Sequence, residues 1–222
     1  MNDDGSFPAD LLARIRRCGM IPTATIDDVS AAIPLAKALL ACHIDVIEIA
    51  LHTDVAFDAM RKIRDEVPGM MVAAGTILNP DQIAPAIESG AALAAANGLC
   101  DEVVQEARAQ RLPFIPGIIT PSELESAIHL GCRHVKVFPI EPMGGVKYLR
   151  TLAMPYEHLG IKYFVSGGIT SENAPAYLYH EDVTAIGAGW IASRPIIQSQ
   201  QWSDLINHAV EATGIVKEMR PH

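Results

Sequence analysis

Short, nearly continuous apolar runs alternate along this chain with longer segments of helical period, and the alternation continues to residue 218 without a linker-like break. The apolar runs predict strands at Met20–Thr25, Asp45–Leu51, Met70–Gly75, Ala91–Ala96, Pro113–Gly117, Arg133–Phe138, Lys162–Ser166 and Thr184–Gly187. Their centres recur at roughly 21 to 28 residues, the length that a strand, a crossover helix and two loops require. Between them, Asn79-Pro80 and Thr120-Pro121-Ser122-Glu123 carry helix-start signals, and Asp27 or Asp28 and Ser171 are candidate caps for two more helices. In segment 29–41 the apolar residues Val29, Ile33, Ala36, Leu39 and Leu40 form a stripe that should lie against a sheet. A first helix at about 8–17 precedes the strands and is placed to cover a barrel floor.

Strands such as Met70-Met71-Val72-Ala73-Ala74 are apolar on both faces, which implies a parallel sheet under helices. Eight such units, with no Gly-rich dinucleotide fingerprint after the first strand, predict an α/β chain folded as a (β/α)8 TIM barrel with an extra N-terminal helix. An open doubly wound sheet is the alternative. The expected organisation is one domain over 1–222, with flexible ends at 1–7 and 218–222.

Composition narrows the function. With 222 residues, 50% hydrophobic and 19% charged, the chain is long enough for a sizeable core, and a formal net charge of −9 without a basic stripe argues against a nucleic-acid partner. No apolar run approaches the length of a membrane helix. The acidic, polar N-terminus lacks the features of a secretory signal, and Cys18, Cys42, Cys100 and Cys132 form no CxxC, so reduced thiols and a cytoplasmic location are expected. The eight histidines show no HxxxH or HExxH spacing, so no metal is expected. Trp190 and Trp202 read as packing aromatics, and Gly144-Gly145 as the opening of a helix near the site.

Two charges interrupt the apolar strands. Lys136 sits in His134-Val135-Lys136-Val137-Phe138-Pro139, and a buried ammonium must lose its proton or find an anionic partner. Desolvated, the amine is a nucleophile toward carbonyls; on an edge strand it would simply point to water. Glu48 sits in Val46-Ile47-Glu48-Ile49-Ala50, where it is either the acid/base of a reaction or half of a structural ion pair with Lys136. Barrel enzymes work where strands end and βα loops begin. The polar residues there are Glu48, His52 and Thr53, then Thr76, Asn97, Thr120, Lys136 and Ser166. The clusters Ser166-Gly167-Gly168 and Gly187-Ala188-Gly189 follow the last two strands, where backbone N–H groups can cradle a phosphate.

Val46-Ile47-Glu48-Ile49, Ala74-Gly75-Thr76-Ile77-Leu78-Asn79-Pro80, Ile115-Pro116-Gly117, Val135-Lys136-Val137-Phe138-Pro139 and Ser166-Gly167-Gly168-Ile169 together resemble the 2-keto-3-deoxy-6-phosphogluconate (KDPG) aldolase / 4-hydroxy-2-oxoglutarate (KHG) aldolase family, in order and spacing from about residue 18 to 212. The resemblance implies a class I aldolase in which Lys136 forms a Schiff base with the keto acid, Glu48 is the general acid/base and Thr76 helps hold the pyruvyl moiety. It further implies a homotrimer with no cofactor beyond the lysine imine, acting on a small oxo-acid or sugar-phosphate substrate. Departures from the family pattern fall at His52, where an arginine grips the substrate carboxylate, at Asn97 for a proline, at Ser166 for a threonine and at Gly189 for a serine. KDPG, cleaved to pyruvate and glyceraldehyde 3-phosphate, is the leading substrate. The alternatives are KHG, cleaved to pyruvate and glyoxylate, a metal-dependent aldolase, or a non-catalytic barrel that binds a sugar phosphate or oxo acid.

Overall fold

The computed structural model describes residues 7–220. Ten parallel strand segments occur in chain order: β1 (Met20–Ile21), β2 (Thr23–Ala24), β3 (Val46–Ala50), β4 (Met71–Gly75), β5 (Leu93–Ala95), β6 (Phe114–Ile115), β7 (Gly117–Ile118), β8 (His134–Val137), β9 (Lys162–Val165) and β10 (Val183–Gly187). They run β1-β10-β9-β8-β7 on one side and β2-β3-β4-β5-β6 on the other. Prolines cause the two breaks. Pro22 and Pro116 bring no N–H to the ladder, so β1 and β2 are one stave split at its middle, and β6 and β7 another. Their carbonyls still bridge the seams: Pro22 O accepts from Glu48 N at 2.9 Å and Pro116 O from Lys136 N at 2.8 Å. The eight predicted strands are therefore the eight staves of a closed barrel, and every residue of β3, β4 and β8 is buried, as staves under helices must be.

The helix Ala9–Cys18 crosses the floor, at the N-terminal ends of the staves, where Arg14 Nε reaches the Asp45 carboxylate at 3.0 Å. Phe7 stacks on the His134 ring, with centres 4.4 Å apart. At the other end the helix Trp202–Met219 runs through the region expected to fray, and the Arg220 guanidinium donates to Val183 O at 2.6 Å and Thr184 O at 2.8 Å. Within the segments expected to be flexible, Phe7 is buried against the His134 ring and the Arg220 guanidinium caps two strand carbonyls at the barrel floor, while Glu218 is exposed. The rest of the expected ends, 1–6 and 221–222, lies outside the described residues.

Two local expectations are corrected. The segment 29–41 opens with the 3-10 turn Val29–Ala31, whose tighter winding turns the following helix Ala32–Ala41 so that Ala32, Leu35, Ala36 and Leu39 are fully buried, while Val29, Ile33 and Leu40 are only half-buried. Ser171 caps nothing, since its helix begins at Ala174 and the Asn173 Oδ1 accepts from Thr170 N at 2.8 Å. The box at Thr120 holds, with Glu123 Oε2 accepting from Thr120 N at 2.7 Å and Thr120 Oγ1 accepting from Glu123 N at 3.3 Å.

One buried group ties the floor to pH. Burial, reinforced by the nearby Lys162 ammonium, pushes His134 down to about 4 from an ordinary 6.5. A folded-state value below the unfolded one means that His134 contributes its full stability above pH 6.5 and loses it as pH falls toward 4, a span worth about 3 kcal/mol. Urea unfolding of the natural chain should therefore weaken across that window, and His134→Leu should flatten the profile. Parallel profiles for the two would contradict this reading of the floor.

Candidate active site

Glu48 lies on β3 and Lys136 on β8, the second and sixth of the eight staves, so they face each other across the barrel bore. Their side chains are 11% and 8% exposed and meet with Lys136 Nζ 3.4 Å from Glu48 Oε1. Buried charges are tolerated in such a place only as a pair, so the amine has found the anionic partner its context demanded. Small residues make the room. A Cβ on Gly75 would lie 2.5 Å from Glu48 Oε1, so glycine at the end of β4 is what lets the carboxylate lie where it does. The Phe138 ring, 5.9 Å from Lys136 Nζ, presents its face to the cation.

Above the pair, at the C-terminal ends of the staves, opens a cavity of about 340 Å³. Most of the residues singled out from the sequence line it, namely Glu48, His52, Thr76, Asn97, Lys136, Ser166, Gly167, Gly168 and Gly189, whereas Thr53 and Thr120 do not. Thr76 stands there with φ +61°, a left-handed conformation that a β-branched residue adopts only under constraint and that is characteristic of functional positions. Opposite it, Gly167 and Gly168 turn at φ +95° and +83°, and a Cβ on Gly167 would come within 2.7 Å of Pro139 Cα. Main chain thus forms this wall, held by Ile140 N and Glu141 N donating to Ser166 O and Gly167 O at 2.9 and 3.0 Å. Gly189 is different, since a Cβ there would meet nothing within 4 Å, and the missing side chain simply enlarges the cavity. Thr53, named with the strand-end residues, points away and donates to Ile26 O at 2.6 Å; Thr120 serves its helix cap.

Three residues escaped the sequence reading. Thr23 and Thr25, on the first stave and its extension, line the cavity, with Thr25 Oγ1 3.4 Å from His52 Nδ1. They have i, i+2 spacing, so they share one face of an extended chain, and polar side chains in the first strand were the available signal. Trp190 does pack edge-on against His208, with ring centres 5.5 Å apart, but it also lines the cavity mouth instead of being a packing residue alone. His134, the other histidine near a strand, is at the floor and remote from this chemistry.

A closed parallel barrel with a buried amine and carboxylate meeting at its C-terminal face defines the class, that of the lysine-based aldolases. The chain belongs to the KDPG and KHG aldolase family, whose model matches residues 11–208. It is 36% identical to the KHG/KDPG aldolase of Escherichia coli (strain K12) over 87% of this chain and 90% of that one. The similarity to the 2-dehydro-3-deoxy-phosphogluconate aldolase of Dickeya dadantii (strain 3937) is also 36%, over 88% and 91%. Among solved structures, the KDPG aldolase of Legionella pneumophila, with pyruvate captured at low pH as a covalent carbinolamine, superposes with TM-score 0.84 at 30% identity over 90% of this chain and 96% of that one.

The pair's energetics give a direct check. Glu48→Leu alone leaves a buried ammonium without its partner and should cost about 3–5 kcal/mol in urea unfolding, whereas Glu48→Leu with Lys136→Met should recover most of that loss. Additive losses would mean that the two groups do not interact in the folded protein.

Proposed function

We propose that this chain is a class I aldolase that cleaves a 4-hydroxy-2-oxo acid to pyruvate and an aldehyde, with KDPG, giving glyceraldehyde 3-phosphate, as its leading substrate. The observation that carries the proposal is the 3.4 Å approach of Lys136 Nζ to Glu48 Oε1 directly beneath a cavity with polar groups at both ends. Lys136 attacks the keto carbon, and Glu48 moves the protons needed to expel water from the carbinolamine. The protonated imine then draws electrons, Glu48 takes the proton of the 4-hydroxyl, and the adjacent carbon–carbon bond breaks to release the aldehyde. The enamine left on Lys136 is protonated at carbon and hydrolysed to pyruvate, which returns the amine.

Thr76 and His52 line the Glu48 end and in this reading receive the pyruvyl carboxylate; an imidazole there offers one hydrogen bond where a guanidinium would offer a charged fork. Gly167, Gly168 and Gly189 line the far end, where the main chain of a glycine turn suits a phosphate, while Ser166 lies beside Gly187 and Asn97 adds an amide to the wall between. The reaction needs no group beyond the lysine imine. KHG, with its second carboxylate in place of the phosphorylated arm, is the second reading, supported by a relative whose name carries both activities. We also infer a homotrimer in a reducing, cytoplasmic setting. The free, buried thiols of Cys18, Cys42 and Cys132 fit that setting, and Leu78, 67% exposed two residues past Thr76, is an apolar side chain that an assembly would cover.

Exchange of the pyruvate methyl protons with deuterium, followed by NMR, isolates the imine and enamine steps from the aldehyde. The natural chain should exchange them, Lys136→Met should abolish the exchange, and Glu48→Gln should slow it about 100-fold or more. Exchange that survives Lys136→Met would overturn the proposal, and pyruvate release from KDPG against KHG ranks the two substrates.

A further inference from the structure

The cavity has two ends, and the barrel order says what lies between them. The first stave neighbours the second, which carries Glu48 and leads to His52, and the eighth, which leads to Gly189. Its inward residues Thr23 and Thr25 therefore span the middle of the cavity, from the carboxylate end to the glycine end. The positions are measurable at both limits: Thr25 Oγ1 is 3.4 Å from His52 Nδ1, and Thr23 Oγ1 is 3.6 Å from where a Cβ on Gly187 would stand. Ser166 Oγ is 3.7 Å from that same point. Two hydroxyls thus flank Gly187, where a Cβ would press to 2.9 Å from Ser166 Cβ, and both residues line the cavity.

Ser166 is 8% exposed and its hydroxyl has no hydrogen-bond partner among the described residues. A buried hydroxyl left unpaired costs about 1–3 kcal/mol, so a site that keeps one has a use for it. A hydroxyl can donate once and accept twice, so a substrate hydroxyl is a group that satisfies it without bringing charge. Among the described residues that line the cavity, the charged side chains are Lys136 and Glu48, which are already paired, so a charged group gains little there that a neutral one does not.

We propose that Thr23, assisted by Ser166 and Thr25, is a specificity-determining residue that binds the hydroxyl carried by the aldehyde half of the substrate on the carbon next to the one that reacts. The inference rests on the KDPG reading above, since the aldehyde half of KHG carries no such hydroxyl, and adds to it the residue that recognises that hydroxyl. A site built to hydrogen-bond a hydroxyl disfavours an analogue that lacks it, because its own polar groups are then left unpaired.

The test is condensation of pyruvate with D-glyceraldehyde and with propionaldehyde, which has the same three carbons and no hydroxyl. Neither carries phosphate, so the far end of the cavity does not enter the comparison. The natural chain should favour D-glyceraldehyde in kcat/KM. Thr23→Val, which keeps the shape and removes the hydroxyl, should shrink that preference about 5- to 10-fold, the worth of one hydrogen bond of about 1 kcal/mol or slightly more. Thr23→Ser should restore it. A preference unchanged by Thr23→Val, or equal losses with both aldehydes, would overturn the assignment. Borohydride trapping of pyruvate on the same preparations keeps the two levels apart: no trapped lysine in the natural chain would defeat the aldolase reading, whereas a trapped lysine with an unaltered preference defeats only the role of Thr23.

Discussion

The placement of one ammonium and one carboxylate across the bore of the barrel constrains everything around it. Neither charge is tolerable alone at that depth, so the second and sixth staves must hold a register that brings Nζ and Oε1 to 3.4 Å. That register depends on the seams. Pro22 and Pro116 interrupt the two staves beside them, yet their carbonyls accept the N–H groups of Glu48 and Lys136 themselves, so the backbone is pinned at the same residues whose side chains must meet. Gly75 then supplies the space that a side chain would deny the carboxylate.

From that layer upward, order gives way to tension. Thr76 holds a left-handed backbone, and the turn after Ser166 uses Gly167 and Gly168, where a Cβ would press on Pro139 and Glu141. Both lie on the cavity and neither improves the core. The same trade appears in Ser166, whose hydroxyl is buried without a partner, and in Gly189, whose bareness is not demanded by packing. A chain folded only for stability would fill these positions. At the C-terminal ends of the staves these features lie around one cavity, above a continuous apolar core and a floor closed by Phe7, His134 and Arg220.

Much of this was legible in the sequence because period and punctuation carry it. The eight strands follow from apolar runs at a regular interval, and Lys136 and Glu48 stand out because a charge in such a run contradicts its surroundings. Thr23 and Thr25 were illegible for the opposite reason: threonine is a normal strand residue, so its hydroxyls raise no contradiction until the inward face is known. Trp190 packs as expected, and its further place on the cavity wall was illegible because an indole suits both roles. The packed ends at Phe7 and Arg220 could not be read from local pattern, since each is fixed by a partner far along the chain: Phe7 by His134, and Arg220 by the carbonyls of Val183 and Thr184. The phase of the helix Ala32–Ala41 turned on a single 3-10 turn, which periodicity alone does not register.

The central claim is that the buried amine of Lys136 becomes covalently bound to the keto acid. Treating the protein with pyruvate and borohydride, then mapping the modified peptide by mass spectrometry, tests it most directly. The account predicts one reduced pyruvyl adduct per chain, located at Lys136 and absent without pyruvate. An active preparation in which Lys136 stays unmodified, or in which another lysine carries the adduct, would contradict it.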